Sequence, residues 1–204
     1  DGHSGDITIY SGIITATGAW GAAGIGGGVH GNGGNVTIHG GTITATGGQG
    51  GAGIGGGTYG NGGNITIHGG TITATGRQSG AGIGGGYAGN GATVVITGGN
   101  IKATPGNSSA EAIGKGEKGS SSGTIKDGNG ADIVLNRITL TGATAGNAVT
   151  KIEGISYGHK DVYTLDADKL YFYLPAKGAV TSVTADEVEY VCNRNLTFYT
   201  EHAA

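Results

Sequence analysis

Residues that could do chemistry are few over the first half of this chain. Between Gly5 and Ala110 the only formal charges are those of Asp6, Arg77 and Lys102. Cleavage of a polysaccharide needs either a pair of carboxylates or a set of oxygen ligands for Ca²⁺. This stretch has neither, and acid–base catalysis requires a group that can exchange a proton. The first half of the chain is therefore predicted to be non-enzymatic.

The remaining acids lie further along the chain. The segment from Lys126 to Asp132, KDGNGAD, has oxygen-bearing side chains at alternating positions, as in a Ca²⁺ loop. It lacks the glutamate of a complete loop, so we expect a polar turn and no cofactor, with Ca²⁺ as the alternative. Asp166 and Asp168 flank a second turn. If the chain is a fragment of a glycan-active enzyme, its acids are these two aspartates together with Asp127 and Asp132.

Aromatic and histidine side chains recur at one spacing. Tyr10, His39 and His68 follow one another at intervals of 29 residues (39 − 10 = 29), and Thr97 takes the next position. Two histidines in register could bridge a metal ion. No third ligand accompanies them, so a solvated polar column is favoured and no metal is predicted.

Sugars are held by aromatic faces and by hydroxyl or amide groups in fixed positions. A regular array of such groups predicts a binding face for a repetitive glycan, and the alternative is that each is an ordinary surface residue. The predicted ligand-binding residues are Tyr10, His39 and His68 in one stripe and Trp20, Tyr59 and Tyr87 on loops, where His30, Gln49 and Gln78 also lie.

These positions recur because the chain is built from a repeat. The segment 35–63, NVTIHGGTITATGGQGGAGIGGGTYGNGG, is followed at once by a near copy at 64–92. The same pattern opens at Asp6 and, less regularly, at Thr93. A fixed period of this length with short Val, Ile and Thr runs predicts a solenoid.

Each repeat contains three predicted strands. In the first two, such as VTIH and TITAT, apolar and polar residues alternate, so one face is buried. The third is an Ala-Gly-Ile-Gly piece that recurs one residue late at Ala112. Because parallel crossovers are right-handed, we predict an all-β, right-handed parallel β-helix of four to five coils with about 29 residues per coil. Corner asparagines are expected to bond coil to coil, and they are Asn32, Asn61 and Asn90.

The character of the chain changes from Ala131, where charges return and glycines thin out. We predict two parts, β-helix repeats over 1–125 and a β-rich cap or mini-domain over 126–204. A cap is expected because an exposed strand edge invites aggregation. The predicted C-terminal strands are Ile133–Leu135, Ile138–Thr141, Val149–Ile152, Val162–Leu165, Leu170–Leu174, Val180–Val183, Val188–Val191 and Leu196–Tyr199.

Two motifs carry a resemblance to known proteins. The repeated phrase TITATGGQGGAGIGGG, followed by YGHKDVYTLDADKLYFYLPAKGAVTSVTA, resembles Gly-rich right-handed parallel β-helix surface proteins of gut bacteria, which are described as carbohydrate-binding or adhesin-like. The resemblance covers about residues 5–125 and 131–191. The second part is similar to carboxypeptidase-regulatory-like or Cna-type β-modules, although Lys169 stands where such turns commonly carry a glycine. The resemblance implies secretion to the cell surface, and no catalytic residues.

Composition narrows the function further. The net charge of −3 is too small to indicate a nucleic-acid partner, and no apolar run is long enough to insert into a membrane. The sequence thus predicts a non-enzymatic, extracellular module for adhesion or carbohydrate binding. The alternatives are a structural spacer, a fragment of a glycan-active enzyme, and an ice-binding face of outward Thr-x-Thr columns such as TITAT.

Overall fold

The computed structural model describes residues 2–146, 148–153, 163–164, 169–174, 181–192 and 198–199. Over these residues every regular element is a β-strand, and they contain no helix that could cross a membrane. Four coils of three strands each follow one another from Asp6. Their strands are β1 (Asp6–Ile9), β2 (Ile13–Thr17), β3 (Ile25–Gly26), β4 (Asn35–Ile38), β5 (Thr42–Thr46), β6 (Ile54–Gly55), β7 (Asn64–Ile67), β8 (Thr71–Thr75), β9 (Ile83–Gly84), β10 (Thr93–Ile96), β11 (Asn100–Thr104) and β12 (Ile113–Gly114).

Corresponding strands of successive coils pair in parallel and form three sheets. The first sheet has the order β1-β4-β7-β10-β13, where β13 (Thr124–Lys126) opens a fifth coil. The second contains β2, β5, β8 and β11, and the third contains β3, β6, β9 and β12. The predicted parallel β-helix is therefore confirmed. Its handedness and the division at residue 125 stay predictions.

Alternation along the strands builds the core. Ile38 and Ile67 pair in register and are fully buried, while the neighbouring Thr37 and Thr66 are only half-buried on the outer face. Fully burying one isoleucine contributes about 1.5–3 kcal/mol, and the same positions repeat in every coil. No coil can bury this row alone, so each depends on its neighbours. The fully buried isoleucines are Ile38, Ile43, Ile54, Ile65, Ile67, Ile72, Ile83, Ile96 and Ile101.

The third strand is shorter than predicted. In each coil only an Ile-Gly pair forms the third strand. Ile83 pairs with Ile113, which confirms that this strand recurs one residue late in the fourth coil. Side chains are excluded beside this pair because the glycine backbones of adjacent coils approach closely. A Cβ on Gly55, which has a φ of +131°, would overlap the carbonyl oxygen of Gly84.

Corner asparagines join the coils, but through the backbone. The side-chain oxygen of Asn32 accepts the backbone N–H of Asn61 at 2.8 Å, and that of Asn61 accepts the N–H of Asn90 at 2.9 Å. An amide–amide ladder exists elsewhere, at the start of the first sheet. There Asn64 donates to Asn35 at 3.0 Å, and Asn35 donates to the carboxylate of Asp6 at 2.8 Å.

Two antiparallel sheets follow the solenoid. The first pairs β14 (Val134–Thr139) with β17 (Lys169–Leu174), and the second has the order β16-β15-β18-β19-β20. Strand β17 lies against β11, where the backbone N–H of Tyr171 donates to the side-chain oxygen of Asn100 at 2.9 Å. This contact covers the last edge of the second solenoid sheet. The strands of the second antiparallel sheet are β15 (Ala148–Glu153), β16 (Tyr163–Thr164), β18 (Ser182–Ala185), β19 (Val188–Cys192) and β20 (Phe198–Tyr199).

The C-terminal strand predictions need one correction. The two strands predicted over 133–135 and 138–141 are one continuous strand, β14, because the polar pair Asn136 and Arg137 stays in register with β17. The other predicted strands overlap observed ones where the chain is described. Parts of those predicted over 162–165, 180–183 and 196–199 lie outside the described residues.

A carboxylate closes the last edge of the third sheet. In earlier coils the N–H after the Ile-Gly pair donates to the next coil, as Gly56 does to Gly84 at 2.9 Å. In the fourth coil the equivalent N–H belongs to Lys115, and it donates to Oε2 of Glu111 at 3.1 Å. The other oxygen of Glu111 accepts the hydroxyl of Ser122 at 2.6 Å. Glu111 therefore takes the hydrogen bonds that a further coil would take.

The close approach at Gly55 predicts a strict requirement for glycine. We expect Gly55→Ala to lower the free energy of unfolding by more than about 3 kcal/mol, since positive φ and backbone overlap add. The matched control is Gly5→Ala, because a Cβ on Gly5 meets nothing within 4 Å. Urea unfolding followed by circular dichroism measures both. Equal stability of the two variants would contradict the assigned packing.

The edge closure at Glu111 predicts a smaller effect. Glu111→Ala leaves the N–H of Lys115 and the hydroxyl of Ser122 without an acceptor, so we expect a loss of roughly 1–3 kcal/mol. Glu111→Gln keeps one acceptor oxygen and should fall between this variant and the native chain. Hydrogen exchange at Lys115 is the direct measurement, and unchanged protection in Glu111→Ala would refute the closure.

Candidate functional site

Four side chains form a ladder at the end of the first sheet, one coil apart. Tyr10 stacks on His39 with ring centroids 5.0 Å apart and planes 5° apart, and His39 stacks on His68 at 5.0 Å and 16°. The ladder ends where Nδ1 of His68 meets the hydroxyl of Thr97 at 3.0 Å. The structure thus brings together three of the predicted ligand-binding residues in one column.

Stacking decides what this ladder can present. The facing surfaces of its rings cover one another, so the inner rings offer edges and polar atoms to solvent. Tyr10 is 74% exposed, and among the described residues only His39 stacks on it. Partial burial, and then the nearby charge of His39, lower the pKa of His68 below its usual 6.5. The ladder is therefore suited to polar edge contacts more than to stacking a sugar on a ring face.

A second ladder runs along the corner after the third sheet. His30 stacks on Tyr59 at 5.0 Å, and Tyr59 meets Tyr87 edge to face at 5.5 Å. The ammonium of Lys118 lies 5.5 Å from the centroid of the Tyr87 ring, and its hydrogen bond with Tyr87 raises the pKa of Lys118. Tyr59 and Tyr87 are thus neighbours in one ladder, and the first ladder contains neither of them.

Trp20 lies apart from both ladders, at the corner after the second sheet. Its indole is 70% exposed, and its ring N–H donates to the side-chain oxygen of Gln49 at 2.8 Å. One polar edge of the ring is therefore fixed, whereas most of the side chain stays accessible to solvent. Tryptophan fixed in this way combines a large apolar surface with a defined orientation.

Trp20 and its neighbours border a groove that crosses three coils. The groove has a volume of about 280 Å³ and contains contributions from each of the first three corners. Its lining includes residues with an indole, two amides and a guanidinium together with two glycines, and it contains no carboxylate. The lining residues are Gly18, Trp20, Gly48, Gln49, Arg77 and Gln78.

The groove also contains Arg77, which the sequence does not mark as a ligand-binding residue. Arg77 was not predicted to bind a ligand, although Gln49 and Gln78 were recognised as sharing a loop position with Trp20. The signal that could have found it is its place, because Arg77 precedes Gln78 at the same corner. A cation in an otherwise uncharged repeat marks that corner as different from the others.

The segment around Asp127, which the sequence marks as a possible Ca²⁺ loop, forms a turn. Oδ1 of Asp127 accepts the N–H groups of Asn129 and Ala131 at 2.9 and 2.8 Å, so the segment is a hydrogen-bonded turn. The described residues contain no group of three or more His, Cys, Asp or Glu side chains that could hold a metal ion. Asp166 and Asp168 lie outside the described residues.

The outward threonines of the second sheet do not form an uninterrupted face. Thr44 and Thr73 pair in register, but Lys102 takes the next position and lies 5.9 Å from the centroid of the Tyr171 ring. The first column of the sheet begins with Ile13, which is 88% exposed, in place of threonine. One column, that of Thr17, Thr46, Thr75 and Thr104, continues through all four coils, whereas the other two are interrupted.

The fold defines this chain as a parallel β-solenoid. Comparison with protein families agrees, since three segments match a family model described as a beta helix repeat, over residues 7–29, 36–58 and 65–87. Each segment begins at the second residue of β1, β4 or β7 and covers most of one coil. No curated protein matches the chain, and no solved structure does.

The environment of His68 predicts a pH dependence of stability. Its pKa in the folded chain is below the 6.5 of an ordinary histidine, so the unfolded chain binds its proton more readily. His68 therefore does not change the free energy of unfolding above pH 6.5. As the pH falls from 6.5 towards the pKa of His68 in the folded chain, protonation of the unfolded chain lowers the free energy of unfolding. NMR titration of His68 should give a value below 6.5, and His39→Gln should raise that value by removing the neighbouring charge. A value above 6.5 in the native chain would contradict the arrangement.

Proposed function

We propose that this chain is a non-catalytic carbohydrate-binding module of a secreted or cell-surface protein, with a role in adhesion. The observation that carries the proposal is the Trp20 groove, in which an exposed indole is fixed by Gln49 beside further polar side chains. The gut-bacterial, adhesin-like character that the repeat motif implies belongs to the same proposal. The module is extracellular, and it binds neither nucleic acid nor the membrane interior.

The chemistry of the groove supports a sugar as its ligand. One face of a pyranose ring is largely C–H and packs on an indole, while its hydroxyls need donors and acceptors at fixed positions. Gln49 and Gln78 carry both kinds of group on neighbouring coils. Gly18 and Gly48 add no side chains to the lining. A linear oligosaccharide running along the solenoid axis fits these features.

The absence of acids from the groove supports binding without catalysis. Its lining residues include no carboxylate, and hydrolysis of a glycosidic bond needs two in most glycosidases. The carboxylates of Glu111 and Glu117 are engaged in hydrogen bonds that maintain the fourth coil. A fragment of a glycan-active enzyme would require acids on the C-terminal part, such as Asp127 and Asp132.

A structural spacer is the second candidate function. The regular backbone bonding between coils supports it, because a stacked solenoid is a stiff element whatever its surface binds. A spacer needs no exposed aromatic side chain, however, and Trp20 stays 70% exposed although its ring N–H bonds to Gln49 of the next coil. This contrast is the reason for preferring a binding function.

The single tryptophan of the chain provides a direct test. Ligand contact with Trp20 should change its fluorescence, so a glycan screen read by tryptophan emission reports on this groove. We expect saturable binding of at least one oligosaccharide and about tenfold or greater weakening in Trp20→Ala, measured by calorimetry. Trp20 is mostly exposed, so the variant should retain its fold.

Tyr10→Ala is the matched control, because Tyr10 is a similarly exposed aromatic residue on the first ladder. Binding that survives Trp20→Ala but fails in Tyr10→Ala would refute the groove and favour the ladder of Tyr10, His39 and His68. A well-folded chain that binds no glycan would overturn the proposal and favour the spacer.

A further inference from the structure

We propose that the Trp20 groove selects oligosaccharides that carry a carboxylate, and that Arg77 is the residue that binds this group. The inference rests on the proposed function, and it names the ligand class of the same site. We assign uronic acids as the ligand class, since their carboxylate is attached directly to the pyranose ring and they recur along linear glycans. Arg77 thereby acts as a specificity determinant, whereas Trp20 supplies affinity for the sugar ring.

The state of Arg77 is the first argument. Its side chain is exposed and lines the groove, and among the described residues no ion pair joins it to an acid. The planar guanidinium presents paired donors that match the two oxygens of a carboxylate. Glu117 is the nearby acid in the fourth coil, and its Oε2 accepts hydrogen bonds from Ser79 at 2.6 Å and Asn107 at 2.9 Å. These bonds hold that carboxylate on Ser79 and Asn107, and among the described residues it forms no ion pair with Arg77.

The fold itself does not require arginine at this corner. Ala19 and Gly48 take the equivalent positions in the first and second coils, and Gly48 has no side chain to contribute. At Gly48 and Arg77 the backbone N–H makes the intercoil bond, to the carbonyl of Ala22 at 2.8 Å and to that of Gly51 at 3.2 Å. A side chain that no packing or backbone role explains is a candidate for recognition.

The backbone at this corner is also rearranged. In the first two coils the residue with positive φ is glycine, at Gly21 and Gly50. In the third coil the positive φ of +55° falls on Gln78, one position earlier. His30, Tyr59 and Ala88 adopt positive φ at other corners, and here Ser79 stands where the first two coils have glycine. The rearrangement accompanies the appearance of two long polar side chains, Arg77 and Gln78, in the groove.

The spacing of the groove fits a short oligosaccharide. Trp20, Gln49 and Arg77 belong to three successive coils, and paired strands lie about 4.8 Å apart. Trp20 and Arg77 are therefore roughly 10 Å apart along the axis. One short oligosaccharide can place a sugar ring on Trp20 and the carboxylate of another of its sugars beside Arg77. A linear glycan with recurring uronic acids meets this condition.

The test uses a ligand whose charge can be removed without changing its ring. A hyaluronan hexasaccharide carries a carboxylate on every second sugar, and its methyl ester is the neutral counterpart. We expect the acid to bind the native chain about tenfold more tightly than the ester. Added salt should weaken the binding of the acid and leave that of the ester unchanged. In Arg77→Gln the two ligands should bind alike, at the affinity of the ester. Lys118→Gln, which removes the same charge at another corner, should leave the preference for the acid intact.

The outcomes separate the two proposals. If Trp20→Ala binds neither the acid nor the ester, and Arg77→Gln no longer prefers the acid, both the carbohydrate site and the role of Arg77 are supported. Equal binding of acid and ester to the native chain, or an unchanged preference in Arg77→Gln, overturns the role of Arg77 while leaving the carbohydrate site. If a hexasaccharide sulfated on its neutral sugars and esterified on its acids binds as well as the carboxylate, the selection is for sulfate and the proposal is wrong. Failure of all three hexasaccharides to bind also overturns it, and the wider glycan screen with Trp20→Ala then decides the proposed function separately.

Discussion

Backbone hydrogen bonding between successive coils is the constraint on which this structure depends. Every strand of the solenoid pairs with its copy one coil away, and the corner loops do the same, as His30 donates to Thr58 at 2.8 Å. These bonds keep the coils in register, so identical residues stack on one another. The register explains the glycines, because the third sheet brings backbones together at Gly55 and Gly84 with no room for a Cβ.

Stacking also limits which side chains a coil can carry. A charged residue repeated in every coil would face its own copy at about 4.8 Å, where like charges repel. The column at the start of the first sheet shows the consequence, since it contains one acid, Asp6, followed by Asn35 and Asn64. Scarcity of charge is thus partly a property of the stack. Residues differ between coils at the corners, and a carboxylate can be accommodated there, as Glu117 is in the fourth coil.

The sequence was sufficient to predict the period, the three strands of each coil and the residues that share a column, because all of these follow from one repeat length. It could not predict which contacts the side chains that are neighbours in a column make with one another. Asn32 bonds to a backbone N–H and not to another amide, and His39 uses both ring faces within its ladder. The groove beside Trp20 was also beyond prediction, because it depends on the path of three loops in space. Alternation broke at Asn136 and Arg137, yet pairing with β17 kept them in one strand.

The distinction between repeated and unrepeated residues bears directly on function. A requirement of the stack acts on every coil alike, so it produces the same residue at the same position, as with the buried isoleucines and the corner asparagines. Glu111 departs from the repeat for a structural reason, since it closes an edge where stacking stops. Arg77 departs from it in the third coil, inside the stack, and lines one groove with Trp20, which lies in the first coil. Neither stacking nor the closing of an edge accounts for Arg77, and this is the physical basis for proposing that it recognises a ligand.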